Sequence, residues 1–168
     1  MNSPIKPAPR LPAVLVVDDE VRSQEALRRT LDEEFEVFTA SSAEDAWKIL
    51  ERETVQVLLC DQRMPGESGV SFLKRVREQW PDVVRIIISG YTDSEDIIAG
   101  INDAGIYQYL LKPWQPDSLL MAMRNAAELH RLQAENQRVE AAGGRPARAE
   151  YLLLGITEAM LSDVAGHA

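Results

Sequence analysis

The stretch Leu58–Gly69, "LLCDQRMPGESG", decides the fold, because it sets a carboxylate at the end of an apolar run. The segment "VQVLLC" (55–60) is mostly apolar and reads as a strand buried inside a sheet. An acid at the end of such a strand costs free energy unless something pairs with it. After Asp61 the Pro-Gly loop "MPGESG" leads into a helical pattern, "SGVSFLKRVREQW" (68–80), which Pro81 terminates. Gly66 and Gly69 give that loop tight backbone geometry. The unit is strand, acid, turn, helix.

Working outward, the unit repeats. On the N-terminal side, "AVLVV" (13–17) is a β-branched run that stops at Asp18 and Asp19. Residues Val21 to Glu34 carry Leu27 and Leu31 one helical turn apart among charges. "FEVFTA" (35–40) has a weaker strand pattern and belongs nearer an edge. Ser41 or Ser42 caps a helix whose Ala43, Ala46, Trp47 and Leu50 fall at i, i+3, i+4 and i+7. On the C-terminal side, "VVRIIIS" (83–89) ends in Ser89, followed by Gly90. Asp93 or Ser94 caps a helix carrying Ile97, Ile98 and Ile101, and "YQYLL" (107–111) runs into Lys112 and Pro113 before a last helix. Five strand patterns alternating with five helix patterns predict right-handed βαβ units and a parallel sheet covered on both faces. Such a sheet places its site beyond the carboxyl ends of the strands, near a topological switch point. Asp18, Asp19, Asp61, Ser89 and Lys112 all fall at strand ends and converge there.

Composition sets the outer bounds. A chain of 168 residues with 45% apolar content suits one ordinary domain with length to spare. A net charge of −9 argues against a general nucleic-acid or membrane surface, and leaves open a DNA-binding domain elsewhere in a longer protein. Cys60 is the single cysteine, so no intrachain disulfide forms. With no secretory signal and no apolar run long enough to span a bilayer, the expected compartment is the cytoplasm.

The strand-end residues define a chemistry. Three neighbouring carboxylates repel one another and raise each other's pKa values. A hard divalent cation removes the conflict, and magnesium binds through one or two carboxylates plus phosphate oxygens. The set therefore suits metal-assisted phosphoryl transfer, with Asp61 as nucleophile and acyl-phosphate site. Magnesium and Lys112 neutralise the transferring group, and the Ser89 hydroxyl bonds a phosphoryl oxygen. Cys60 reads as a small buried hydrophobe, and His130 and His167 have no partner pattern.

The elements "VLVVDDE", "CDQRMPGESGV", "IIISGY" and "YLLKPW", in that order, resemble the receiver domain of bacterial two-component response regulators. The separations agree: 42 residues from Asp19 to Asp61, 28 on to Ser89, and 23 on to Lys112. The resemblance implies a doubly wound, flavodoxin-like (CheY-like) fold of sheet order 2-1-3-4-5. It implies Asp61 as phosphoacceptor, Asp18 and Asp19 as the acidic pair (Asp19 the direct magnesium ligand), and a metal-ligating backbone carbonyl at Arg63. Ser89 matches the switch hydroxyl, Tyr109 the switch aromatic, and Lys112 the phosphate-pairing lysine before a cis Pro113. The expected partner is a sensor histidine kinase. The expected signalling surface is the face of helix four, strand five and helix five, with Ile98, Ile101, Tyr107 and Tyr109 on it.

Residues 1–12, rich in proline, read as a flexible arm, and 13–127 as the receiver. The last helix continues to residue 142 without Pro or Gly, and "RNAAELHRLQAENQRVEAA" is a strong helix former. Leu129, Leu132, Asn136 and Val139 are spaced as a short heptad seam, which predicts a helical linker over 128–142 and a homodimer; a charged spacer helix is the other reading. Residues 143–168, with "GGRP" and "LLLGITEAM", read as a linker or the start of an output domain. The wording is similar to receivers of NtrC-type, sigma-54-dependent regulators of hydrogenase synthesis, and to those of His-Asp domain cyclic-dinucleotide phosphodiesterases; the first is favoured. DNA is then reached only through an output domain. The module is expected to signal rather than turn over a substrate. An aspartate-nucleophile phosphatase has related chemistry but needs a substrate cap that is not seen here.

Overall fold

The computed structural model describes residues 10–143. Strands β1 (Ala13–Val17), β2 (Glu36–Ala40), β3 (Val57–Asp61), β4 (Val84–Ser89) and β5 (Ile106–Leu111) form one parallel sheet in the order β2-β1-β3-β4-β5. They alternate with helices α1 (Val21–Leu31), α2 (Ala43–Arg52), α3 (Gly69–Gln79), α4 (Ser94–Ala104) and α5 (Pro116–Ala141); a single 3-10 turn, Tyr91–Asp93, precedes α4. The expected doubly wound α/β fold and its strand order are what the structure shows.

The central strands β1, β3 and β4 are buried along their whole length, which is why they lack any polar alternation. On β1, Leu15 and Val17 enter the core under α2, α3 and α4, with Phe72 and Ile97. Val14 and Val16 face the opposite core under α1 and α5, with Leu27, Leu31, Leu119 and Met123. Serine caps start two of the helices: Ser42 Oγ accepts from the Asp45 amide at 3.1 Å and Ser68 Oγ from the Ser71 amide at 3.2 Å. β1 lies between β2 and β3, so the chain reverses its winding there and Val17 pairs with Cys60. The residues just past those two, Asp18, Asp19 and Asp61, therefore meet at the switch point.

β5 departs from the expected pattern. Arg85 pairs with Ile106 but Ile86 pairs with Gln108, so Tyr107 is one extra residue in β5. A bulge changes the phase of alternation. Ile106 and Tyr109 consequently pack toward the core under α4, while Tyr107 and Leu110 pack toward α5. The two rings therefore lie on opposite sides of the sheet, Tyr109 toward α4 and Tyr107 toward α5.

α5 is one unbroken helix of 26 residues. Leu129 is 1% exposed and belongs to the core under α1 and α5, and Leu132 packs against it. Asn136 is buried, and Gln137 Nε2 donates to Asp82 Oδ1 at 3.0 Å. The first half of the expected seam is therefore spent on the domain's own core. Residues 1–9 and 144–168, including "LLLGITEAM", lie outside the described residues. Among the described residues no helix is long and apolar enough to cross a membrane.

Candidate functional site

Asp61 is the last residue of β3 and its carboxylate is 9% exposed. The loop after it is drawn tight: a Cβ at Gly69 would lie 2.5 Å from the Asp61 carbonyl oxygen, and Gly66 has φ 87°. The Gln62 side chain closes this turn by accepting the Val70 amide at 2.9 Å. Lys112, just after β5, donates from Nζ to Asp61 Oδ2 at 3.1 Å. The Lys112–Pro113 bond is cis, as the resemblance implied.

Asp18 is 1% exposed beyond β1. Its Oδ1 accepts the Glu20 amide at 2.9 Å, while Oδ2 is buried with no hydrogen bond, 3.8 Å from Lys112 Nζ. Asp19 is exposed, and ligand oxygens of Asp18, Asp19 and Asp61 lie within 4.8 Å of one another. Three carboxylates thus face one ammonium. Burial, with the charge of Asp61 added, holds the Asp18 carboxyl above its ordinary range, against the Glu20 amide and Lys112. Burial alone pulls Lys112 down, but its bond to Asp61 and the charges of Asp61 and Asp18 leave it raised overall. An orphaned buried carboxylate oxygen beside two further acids is a donor set that fits a hard divalent cation. A cleft of about 360 Å³ opens here, lined among others by Asp19, Asp61, Arg63, Ser89 and Lys112.

Ser89 closes β4, is 1% exposed, and donates from Oγ to Asp93 Oδ2 at 2.5 Å. Asp93 stands at the N-cap position of α4, yet its side chain makes no cap bond. Its Oδ1 instead accepts Arg63 Nε at 2.7 Å, and Arg63 Nη2 donates to Thr92 Oγ1 at 3.2 Å. The Ser89 bond and then Arg63 hold the Asp93 carboxyl below its ordinary range. Arg63 is 72% exposed in its side chain, so it reaches back along the cleft rim without being buried. The Tyr109 hydroxyl donates to the Gly90 carbonyl at 3.3 Å, and burial raises its pKa.

The strand-end residues named from sequence are thus brought together. Two contributors were not foreseen. Asp93 reads in sequence only as a helix cap. Gln24 binds the Asp18 carbonyl at 2.5 Å, the Ala40 carbonyl at 3.3 Å and Ser41 Oγ at 2.9 Å, tying the ends of β1 and β2. Its position, three residues before Leu27 on the buried stripe, was the available signal.

The model of the response regulator receiver domain family matches residues 14–124. The chain belongs to that family. The receiver is 66% identical over 127 residues to the hydrogenase transcriptional regulatory protein HoxA of Cupriavidus necator, covering 76% of this chain and 26% of that protein. It is 68% identical over 124 residues to HoxA of Bradyrhizobium diazoefficiens, covering 74% and 26%. The chain therefore spans about a quarter of the length of these curated relatives. The receiver also superposes on the signal receiver domain of an HD domain-containing protein from Pseudomonas fluorescens Pf-5, at TM-score 0.72 and 29% identity, covering 79% of this chain and 98% of that one.

Proposed function

We propose that Asp61 is the phosphoacceptor of this receiver and takes its phosphoryl group from a sensor histidine kinase. The observation that carries the reading is the paired geometry at the switch point: Asp61 bonded to Lys112, beside the buried oxygen of Asp18 that makes no hydrogen bond. One Asp61 oxygen attacks phosphorus, the P–N bond to the donor histidine breaks, and an acyl phosphate forms. The leaving imidazole keeps the bonding pair and takes a proton from solvent. Lys112 stays within reach of the phosphoryl oxygens and offsets their charge. Ser89 is the hydroxyl that turns to the phosphoryl group, and Tyr109 follows it. Asp18, Asp19, Asp61 and the Arg63 carbonyl would hold magnesium, which when bound supplies charge neutralisation to the acids and the transferring group.

The output is proposed to be transcriptional and of the NtrC type, acting on hydrogenase genes. The 66% and 68% identities to HoxA support it over a His-Asp phosphodiesterase output; the receiver of the HD domain-containing protein is 29% identical. On this reading DNA is contacted by an output domain beyond the receiver. A homodimer belongs to the proposal as well, on a surface other than Leu129, which is spent on the monomer's core.

The test is incubation with phosphoramidate and magnesium followed by intact-mass measurement. The chain gains one phosphoryl group and Asp61→Asn gains none. Absence of the gain in the unsubstituted chain, or its survival in Asp61→Asn, refutes the assignment.

A further inference from the structure

Ser89, Asp93 and Arg63 form a continuous chain of bonds along the rim of the cleft. A buried serine hydroxyl ends on a carboxylate at 2.5 Å, and that carboxylate accepts a guanidinium on its other oxygen at 2.7 Å. A hydroxyl has one proton to donate. While Asp93 receives it, Ser89 cannot donate it to a group on Asp61. The acceptor is also a strong one, because a charge-assisted bond is shorter and roughly twice as strong as a neutral one.

The position of Asp93 explains why its carboxylate is free for this. At the head of an eleven-residue helix, an aspartate ordinarily accepts the amides of the first turn. Here it makes no such bond and is turned inward to Ser89. Arg63 fixes that orientation from the loop after β3. Cleft, switch strand and α4 are thereby joined through three side chains.

We propose that Asp93, positioned by Arg63, is an internal competitor for the Ser89 hydroxyl and latches this receiver in its unphosphorylated arrangement. The inference rests on the reading of Asp61 as acceptor. A phosphoryl group on Asp61 has to win the Ser89 proton from Asp93. Doing so releases Asp93 and with it the first turn of α4, where the carboxylate becomes able to cap the helix it heads. The latch therefore sets the threshold for switching, as a bias on a two-state equilibrium. Asp93 is a positioning residue and touches no reacting atom.

The experiment is a titration of the full chain with beryllofluoride, a phosphoryl mimic that forms on a carboxylate, in the presence of magnesium. Asparagine keeps an acceptor oxygen but loses the charge, and exchanging a charge-assisted hydrogen bond for a neutral one changes the equilibrium by about tenfold. Asp93→Asn therefore binds beryllofluoride about tenfold more tightly than the unsubstituted chain. Removing a nearby negative charge also favours an anion, so the decisive comparison is a double-mutant cycle. In a Ser89→Ala background the gain from Asp93→Asn falls to that of Asp96→Asn, a neighbouring acid on the same helix turn without the serine bond. Asp93→Ser serves as the second variant should Asp93→Asn not fold. Equal gains with and without the Ser89 hydroxyl overturn the latch. No beryllofluoride binding by the unsubstituted chain overturns instead the assignment of Asp61.

Discussion

Asp18 carries the sharpest conflict of any single residue. Its Oδ2 is buried without a hydrogen bond, and burial raises its pKa from the ordinary 3.8. A folded-state pKa above the unfolded one means the cost is absent below pH 3.8, grows as pH rises toward the folded value, and is complete above it. Asp18→Asn in chelator is therefore expected to raise the melting temperature by a few degrees at pH 7 and to leave it unchanged at pH 3; an equal gain at both would contradict this. Asp93 has the opposite sign: its depressed pKa contributes stability at neutral pH that is lost as pH falls through the folded value. Magnesium at ten times its dissociation constant should stabilise the unsubstituted chain by roughly 1.4 kcal/mol, and Asp18→Asn should lose most of that rise; an unchanged response would place the ion elsewhere. The strand-end residues were legible in sequence because each follows an apolar run. Asp93 was not, because an acid before a helix reads as a cap and only a tertiary contact diverts it.

Among the elements, α4 is fixed at one end and latched at the other. Its last carbonyls are taken by two arginines: Arg77 Nη1 binds those of Asn102 and Asp103, and Arg85 Nε those of Ala104 and Gly105. Arg85 Nη1 also holds the Pro81 and Val83 carbonyls, and burial lowers its pKa to about 10. Gly105, at φ 61°, ends the helix in the left-handed region. Along the helix, a Cβ on Gly100 would come 2.2 Å from Val70 Cγ1, so the Val70 side chain of α3 packs directly on the α4 backbone there. On the proposed latch, the C-terminal end of α4 stays held by these arginines and the contacts that change are those of Asp93 at its head. Arg85→Met leaves buried carbonyls unpaired and is expected to cost about 3 kcal/mol in chemical denaturation; a loss under about 0.5 kcal/mol would show that water or relaxation replaces these bonds. The helices and strands were readable from periodicity. The bulge at Tyr107 was not, since one inserted residue shifts the phase of β5 without altering its composition.

On the scale of the whole molecule, the receiver and the first turns beyond residue 127 fold as one core. Leu129 fills the cluster under α1 and α5, beside Leu119 and Met123. Ending the chain after Ala127 should therefore destabilise it by about 2–3 kcal/mol, the value of one fully buried leucine. Equal denaturation midpoints for the short and full chains would contradict that. The length of α5 was legible from its lack of Pro and Gly, but the direction its leucines face was not, because heptad spacing is the same for a partner helix and for a sheet. The parallel order and the convergence of strand ends were legible together, and they place Asp61 at the centre of the molecule's chemistry. Borohydride reduction tests that placement most directly, since it converts an aspartyl phosphate into homoserine. After treatment with phosphoramidate and magnesium, tandem mass spectrometry of the peptides that carry Asp18, Asp19 and Asp61 should find homoserine at position 61 alone. Homoserine at position 18 or 19, or aspartate retained at all three, would contradict the account.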